Sequence, residues 1–232
     1  MPDIAAAYQE VAQRMALAAA RAGRAPDTVT LVAVSKTRSA PEIREAIEAG
    51  ARDLGENYVQ EMVDKHELFA GEAIDLRWHA IGHLQRNKVR FIAPFCALVH
   101  SVDSPRLADE IGVRAAAHGH TQPVLLEVNI AAEDSKTGAA VESVPELAQH
   151  VADLPNVELR GLMAMTPYGA PDHVLRRLFS ATRELAERIG RDLPPGSMDQ
   201  LSMGMSQDYE IAVEEGATLV RVGTAIFGAR QS

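Results

Sequence analysis

The chain has 232 residues, enough for one barrel or two small domains, and its 47% hydrophobic content excludes a disordered chain. Its formal charge of −9, with no clustered Lys/Arg arm, argues against general nucleic-acid binding, although a local cationic pocket for an anion needs only a few groups. Cys96 is the only cysteine, so an intrachain disulfide and multi-cysteine zinc sites are excluded, and a reducing, cytoplasmic setting is expected.

The segment from Met1-Pro2-Asp3-Ile4 opens an amphipathic stretch with no basic start and apolar run, so no signal peptide is expected. Ile4, Tyr8, Val11, Met15 and Ala18 recur at helical spacing, and Gly23 and Pro26 close this leading helix. Short apolar runs then alternate with helical stretches. The runs are Val29 to Ser35, Asp53 to Glu56, Trp78 to Gly82, Ala97 to Val102, Val124 to Ile130, Val157 to Met165, Met198 to Met203 and Thr218 to Gly223. Several are apolar on both faces, as strands buried between helices and a core must be. All are strand-length, far short of a membrane span. Ser39 and Ser143, each with Glu three residues on (Glu42, Glu146), predict capping boxes. Ser104-Pro105 starts another helix. Val174, Leu175, Leu178, Phe179, Leu185 and Ile189 form one helical stripe before Gly190.

Eight βα units in a chain of this length predict an α/β fold: one closed (β/α)8 barrel spanning 1–232, with an extra N-terminal helix. The rival, an open doubly wound sheet, usually carries a Gly-rich loop after its first strand. Here that position reads Val34-Ser35-Lys36-Thr37-Arg38.

In such barrels the working face is the C-terminal end of the strands. Lys36 ends the first strand, where partial desolvation favours a neutral amine able to attack an aldehyde. Alone, such a lysine is more often a surface residue paired with a carboxylate. Ser202-Met203-Gly204-Met205-Ser206 and Arg221-Val222-Gly223-Thr224 follow strands seven and eight, the usual phosphate site of this architecture. Gly204 and Gly223 either admit backbone N–H groups close to an anion or merely serve tight turns. Ser206 sits where a helix begins, at its positive end. A reactive lysine and a phosphate cradle in one mouth suit a phosphorylated carbonyl compound: pyridoxal phosphate, or a sugar phosphate as in a Schiff-base aldolase.

Val34-Ser35-Lys36-Thr37, Gly55-Glu56-Asn57-Tyr58-Val59-Gln60-Glu61, Trp78-His79-Ala80-Ile81-Gly82, Ser135-Lys136-Thr137-Gly138, Gly161-Leu162-Met163, Leu201-Ser202-Met203-Gly204-Met205-Ser206 and Arg221-Val222-Gly223-Thr224-Ala225-Ile226-Phe227-Gly228 closely resemble, in order, the pyridoxal phosphate homeostasis protein family, called YggS in bacteria and PROSC in animals. The resemblance covers nearly the whole chain. It implies a barrel like the N-terminal domain of alanine racemase, without that enzyme's second, β-rich domain. It implies pyridoxal 5′-phosphate as cofactor, held as a Schiff base on Lys36. Ser206, Gly223 and Thr224 match the phosphate cradle, Arg221 the partner of the pyridine nitrogen, and Asn57 and Met203 the ring pocket. Lys136, in a lysine-bearing loop, is a further contact. Position 38 departs from the family, with Arg38 where lysine is frequent, and the tail Ala229-Arg230-Gln231-Ser232 lacks a basic end.

The resemblance implies cofactor buffering, and supply to apo-enzymes, with little or no turnover. The chain is expected to be monomeric and to need neither membrane nor metal. The alternative is an amino-acid racemase or related enzyme, for which Tyr58 and Tyr168 would supply opposite-face groups. His79 and His83 are expected to be hydrogen-bonded structural residues, Cys96 a buried apolar one, and Glu214-Glu215 a solvated helix face.

Overall fold

The computed structural model describes residues 3–72, 74–131 and 137–229. Its strands are β1 (Thr30–Val34), β2 (Asp53–Glu56), β3 (Arg77–Ala80), β4 (Cys96–Val102), β5 (Gln122–Val128), β6 (Val157–Ala164), β7 (Gln200–Ser202) and β8 (Leu219–Val222). Each pairs in parallel with the next, and β8 pairs with β1, closing the barrel. All eight expected runs are strands, with ends shifted by up to two residues, at β3, β5 and β7.

The helices are α1 (Ile4–Arg21), ahead of the barrel, then α2 (Ala40–Glu48), α3 (Val59–Phe69), α4 (Val89–Ile92), α5 (Pro105–Ala117), α6 (Val144–Ala152), α7 (Asp172–Gly190), α8 (Tyr209–Glu214) and α9 (Thr224–Phe227). Among the described residues no helix is long and apolar enough to cross a membrane.

Strand side chains alternate between two apolar layers, because successive residues face opposite sides of a sheet. Val32, Leu98, Leu125, Met163 and Leu219 cluster in the bore. Their neighbours Leu31, Ala33, Val99, Leu126, Leu162 and Val220 belong to the larger core between barrel and helices. This two-sided burial is why the runs read as continuously apolar.

The capping box at Ser39 forms: the Ser39 N–H donates to Glu42 Oε2 at 2.8 Å. The one expected at Ser143 does not. A 3-10 turn (Val141–Ser143) precedes α6, so Ser143 is already helical, at φ −92°, and its hydroxyl turns back to donate to Ala140 O. Glu214 and Glu215 are also not a free solvated face. With Glu210 they take Arg14 and Arg21 of α1 and Arg176 of α7, joining the added helix to α8.

Gly161 explains part of its motif. Its φ is +151°, and a Cβ there would lie 1.8 Å from Gln200 O of the paired strand. Gly161→Ala is therefore expected to lose on the order of 3 kcal/mol in a urea titration. Gly119→Ala, at φ +71° with open space around it, should lose only about 1 kcal/mol. Equal losses would deny the close strand approach at Gly161.

Candidate functional site at the barrel mouth

The C-terminal ends of the strands surround a cavity of about 670 Å³, in the size range of a small-molecule site. Lys36, Asn57, Ser206, Arg221, Gly223 and Thr224 all line it. Met203 does not. Ser202 faces the bore and the next residue faces out, so Met203 is fully buried in the core between barrel and helices. The methionines on the cavity wall are Met165 and Met205. Lys136 lies outside the described residues, as does the end of the tail; Thr137 of the same loop lines the cavity.

Lys36 keeps the parity of Val32 and Val34 past the end of β1, which carries it inward. The turn it stands in is clamped from α3. Lys65 is only 8% exposed, and its Nζ donates to Ser35 O at 2.6 Å, to Glu56 Oε1 at 2.7 Å and to Glu61 Oε1 at 2.7 Å. Glu61 also accepts the N–H of Thr37, which holds the left-handed φ of +63°. The backbone is thus fixed on both sides of Lys36. The Ser35 hydroxyl donates to Glu56 as well. Burial raises the Glu56 carboxyl above its ordinary range, with Lys65 and Ser35 drawing it back. The sequence alone did not single out Lys65. Its i,i+4 spacing to Glu61 was the only signal.

Beside the end of β1, where β8 pairs with it, Ser206 Oγ accepts the N–H groups of Gly223 and Ala225, each at 3.2 Å. The loops after β7 and β8 therefore meet on one hydroxyl. A Cβ at Gly223 would meet Val34 at 3.4 Å, so the missing side chain keeps this loop close to β1. Gly204 serves a different need: at φ +93°, its Cβ would lie 2.5 Å from Ala212 and 2.9 Å from Tyr209, so it admits α8 and not an anion.

Among the described residues Arg221 is not salt-bridged to a carboxylate. Its Nη1 donates to Ser202 Oγ at 2.5 Å and its Nη2 to Ala164 O at 3.0 Å. Burial lowers the guanidinium to about 10, opposed by the more distant charges of Asp208 and Glu127. Glu127, also on the cavity wall and 2% exposed, was not singled out from sequence. It looked like one polar residue in an apolar strand. Burial raises its carboxyl, against a hydrogen bond donated by Thr137 Oγ1.

Arg38 points away from this chemistry. It pairs with Glu42, donates to Gly228 O and lies over the Phe227 ring. Tyr168 lines the cavity and is 86% exposed, whereas Tyr58 is exposed off the lining. His79 is buried between Asp53 and His100, while the exposed His83 reaches the cavity edge. Cys96 is buried, and desolvation pushes its thiol up to about 12, which leaves it no nucleophile.

Residues 8–231 match the family described as alanine racemase, N-terminal domain. A Pseudomonas aeruginosa protein named pyridoxal phosphate homeostasis protein is 47% identical over 230 residues, covering 99% of this chain and 97% of that one. The structure of PipY from Synechococcus elongatus PCC7942 with PLP bound superposes with a TM-score of 0.82 at 36% identity, covering 94% of this chain and all of that chain. Alanine racemase from Corynebacterium glutamicum shares the fold (TM-score 0.68, 15% identity), with 96% of this chain matched to 61% of that one.

The raised carboxyl of Glu127 gives a pH test. The folded chain favours its neutral form, so its contribution to stability is fully present below the ordinary carboxylate value of ~4.3 and is lost as pH rises through the raised value. Glu127→Gln keeps the shape and the acceptor without the charge. Its melting temperature relative to the wild type should be higher at pH 7.5 than at pH 4.5, by on the order of 2 °C. A pH-independent difference would mean that Glu127 titrates normally.

Proposed function

Because the chain belongs to the pyridoxal phosphate homeostasis proteins, within the family of the alanine racemase N-terminal domain, we propose that it binds pyridoxal 5′-phosphate in the barrel mouth, as a Schiff base on Lys36. The observation that carries this is the meeting of an inward lysine, a Ser206-centred loop pair and a carboxylate-free arginine on one cavity. The cofactor brings an aldehyde, a phosphate and a pyridine ring; the chain supplies one complement to each.

Lys36 would hold the aldehyde through its Nζ, with loss of water. The bond is reversible, which suits a holder that must also release. The clamp of Lys65 and Glu61 keeps Lys36 oriented inward, so the entropy of placing the amine is met in advance. Ser206, Gly223 and Thr224 would hold the phosphate, with the Ser206 and Thr224 hydroxyls as donors on a loop pair that the Gly223 and Ala225 N–H groups fasten to Ser206 Oγ. Arg221, on the same cavity, would face the pyridine nitrogen. A cation there disfavours ring protonation, since like charges repel. The unprotonated ring withdraws electrons weakly, which favours holding the cofactor over carbanion chemistry. Asn57, on the cavity wall, would line the ring.

On this basis the whole of 1–232 is one cofactor-binding unit that buffers the reactive aldehyde and supplies it to apo-enzymes, as a monomer in the cytoplasm, with little or no turnover. The single, inert cysteine suits a reducing compartment. A racemase would need acid/base groups on both faces of the substrate. Tyr168, on the cavity wall, is the side chain that favours this second possibility.

Purified protein given pyridoxal phosphate should turn yellow, and borohydride reduction should leave a pyridoxyl group on the Lys36 peptide by mass. Lys36→Ala should remain unlabelled there. Labelling elsewhere, or a colourless wild type, would remove the assignment, and trapping only with a sugar phosphate would point to an aldolase. With cofactor verified as bound, amino acids incubated for days should keep their enantiomer ratio; sustained conversion would establish the racemase instead.

A further inference from the structure

Beneath the mouth, one file of hydrogen bonds runs down the bore to the opposite end of the barrel. Arg221 Nη1 donates to Ser202 Oγ. Ser202 Oγ lies 2.8 Å from His100 Nδ1, and His100 Nε2 lies 2.9 Å from His79 Nδ1. His79 Nε2 then lies 3.0 Å from Asp53 Oδ1. Asp53 is held by Arg77, at 2.7 and 2.5 Å, where β2 and β3 begin. His100 and Ser202 are fully buried, and His79, Asp53 and Arg221 nearly so.

Donor arithmetic gives this file one direction. Arginine can only donate, so Ser202 Oγ accepts from Arg221 and its own proton goes to His100 Nδ1. A neutral His100 then carries its proton on Nε2 and donates to His79 Nδ1. His79 in turn donates from Nε2 to Asp53. Reversing the rings would strand the Ser202 proton in a buried site and place a second cation in the bore behind Arg221. The neutral form of His100 is also favoured by burial, His79 and Arg221, which hold its basicity well below the ordinary range.

Every dipole in the file therefore presents its negative end toward Arg221 and its positive end toward Asp53. We propose that Ser202, His100 and His79 are positioning residues: they aim the guanidinium at the mouth and stabilise its charge from Asp53 through aligned neutral dipoles, so that no carboxylate touches it and its remaining N–H donors face the ligand's aromatic nitrogen. This role rests on the assignment of pyridoxal phosphate to the mouth, but the proton order does not.

The test has two parts. Two-bond ¹H–¹⁵N correlation spectra of the histidine-labelled, cofactor-free protein at pH 7, assigned with His79→Gln and His100→Gln, should show both rings neutral with the proton on Nε2. An Nδ1–H ring or an imidazolium at either position overturns the proposal, whatever the protein binds. In the second part, pyridoxal phosphate and inorganic phosphate are titrated separately. His100→Leu removes the acceptor and should weaken pyridoxal phosphate on the order of tenfold while leaving inorganic phosphate unchanged. His100→Gln accepts and donates across about the same span and should restore most of the loss. Loss of both ligands alike in His100→Leu, unaltered pyridoxal phosphate binding, or no rescue by Gln would reduce the file to a structural filling of the bore. A wild type that fails to bind pyridoxal phosphate at all would instead overturn the cofactor assignment together with the role built on it, while the spectra report on the proton order alone.

Discussion

The pairing of β8 with β1 is the constraint on which the rest depends. It leaves the sheet no edge, and it brings eight strand ends that lie far apart in the chain to one rim. It also creates a bore that must be filled. The chain fills part of it with Val32, Leu98, Leu125, Met163 and Leu219, and part with polar side chains that must satisfy one another because water is excluded. Lys36, Ser206 and Arg221 can face one cavity only because the closure fixes which residue of each strand looks inward.

Much of this was legible in the sequence. The strands were, because burial on both faces writes continuous apolar runs. The lysine at the end of β1 was, because the C-terminal strand ends form the working face of a barrel. What stayed hidden was pairing across space. Met203 sits in a motif beside the cavity, but one step of strand alternation turns it into the outer core. Gly204 and Gly223 look equivalent in the sequence, yet one admits a helix and the other keeps a loop against β1. Lys65 and Glu127 carry no local motif, and only the fold shows them buried. His79 was expected to be hydrogen-bonded, but nothing local named His100, twenty-one residues on, as its partner. Ser143 has the capping pattern and lost it to a preceding 3-10 turn, a competition between local geometries that spacing alone does not register.

The two sides of the mouth are stabilised by opposite means. Around Lys36, charge is met by charge: Lys65 lies in contact with two carboxylates. Such a buried cluster tolerates no loss of one member, since the remaining charge would stand uncompensated in low dielectric. Around Arg221, charge is met by neutral acceptors, which keeps the guanidinium's field intact for whatever enters the cavity. The chain thus neutralises the cation that only builds the site and gives neutral acceptors to the one that lines the cavity. The added helix α1 reinforces the second wall from outside, through Arg14 and Arg21, at the helix that follows the Ser206 loop.

The inert thiol of Cys96 has a practical side. Aldehydes condense with accessible thiols, and the chain's one cysteine is sealed inside β4 with its proton held far above neutral pH. Maleimide and disulfide reagents will therefore find no native target while the barrel is folded. A cysteine placed by mutation at the exposed position of Tyr168 becomes a unique handle, so a fluorophore can be set at the rim of the cavity without competition from Cys96.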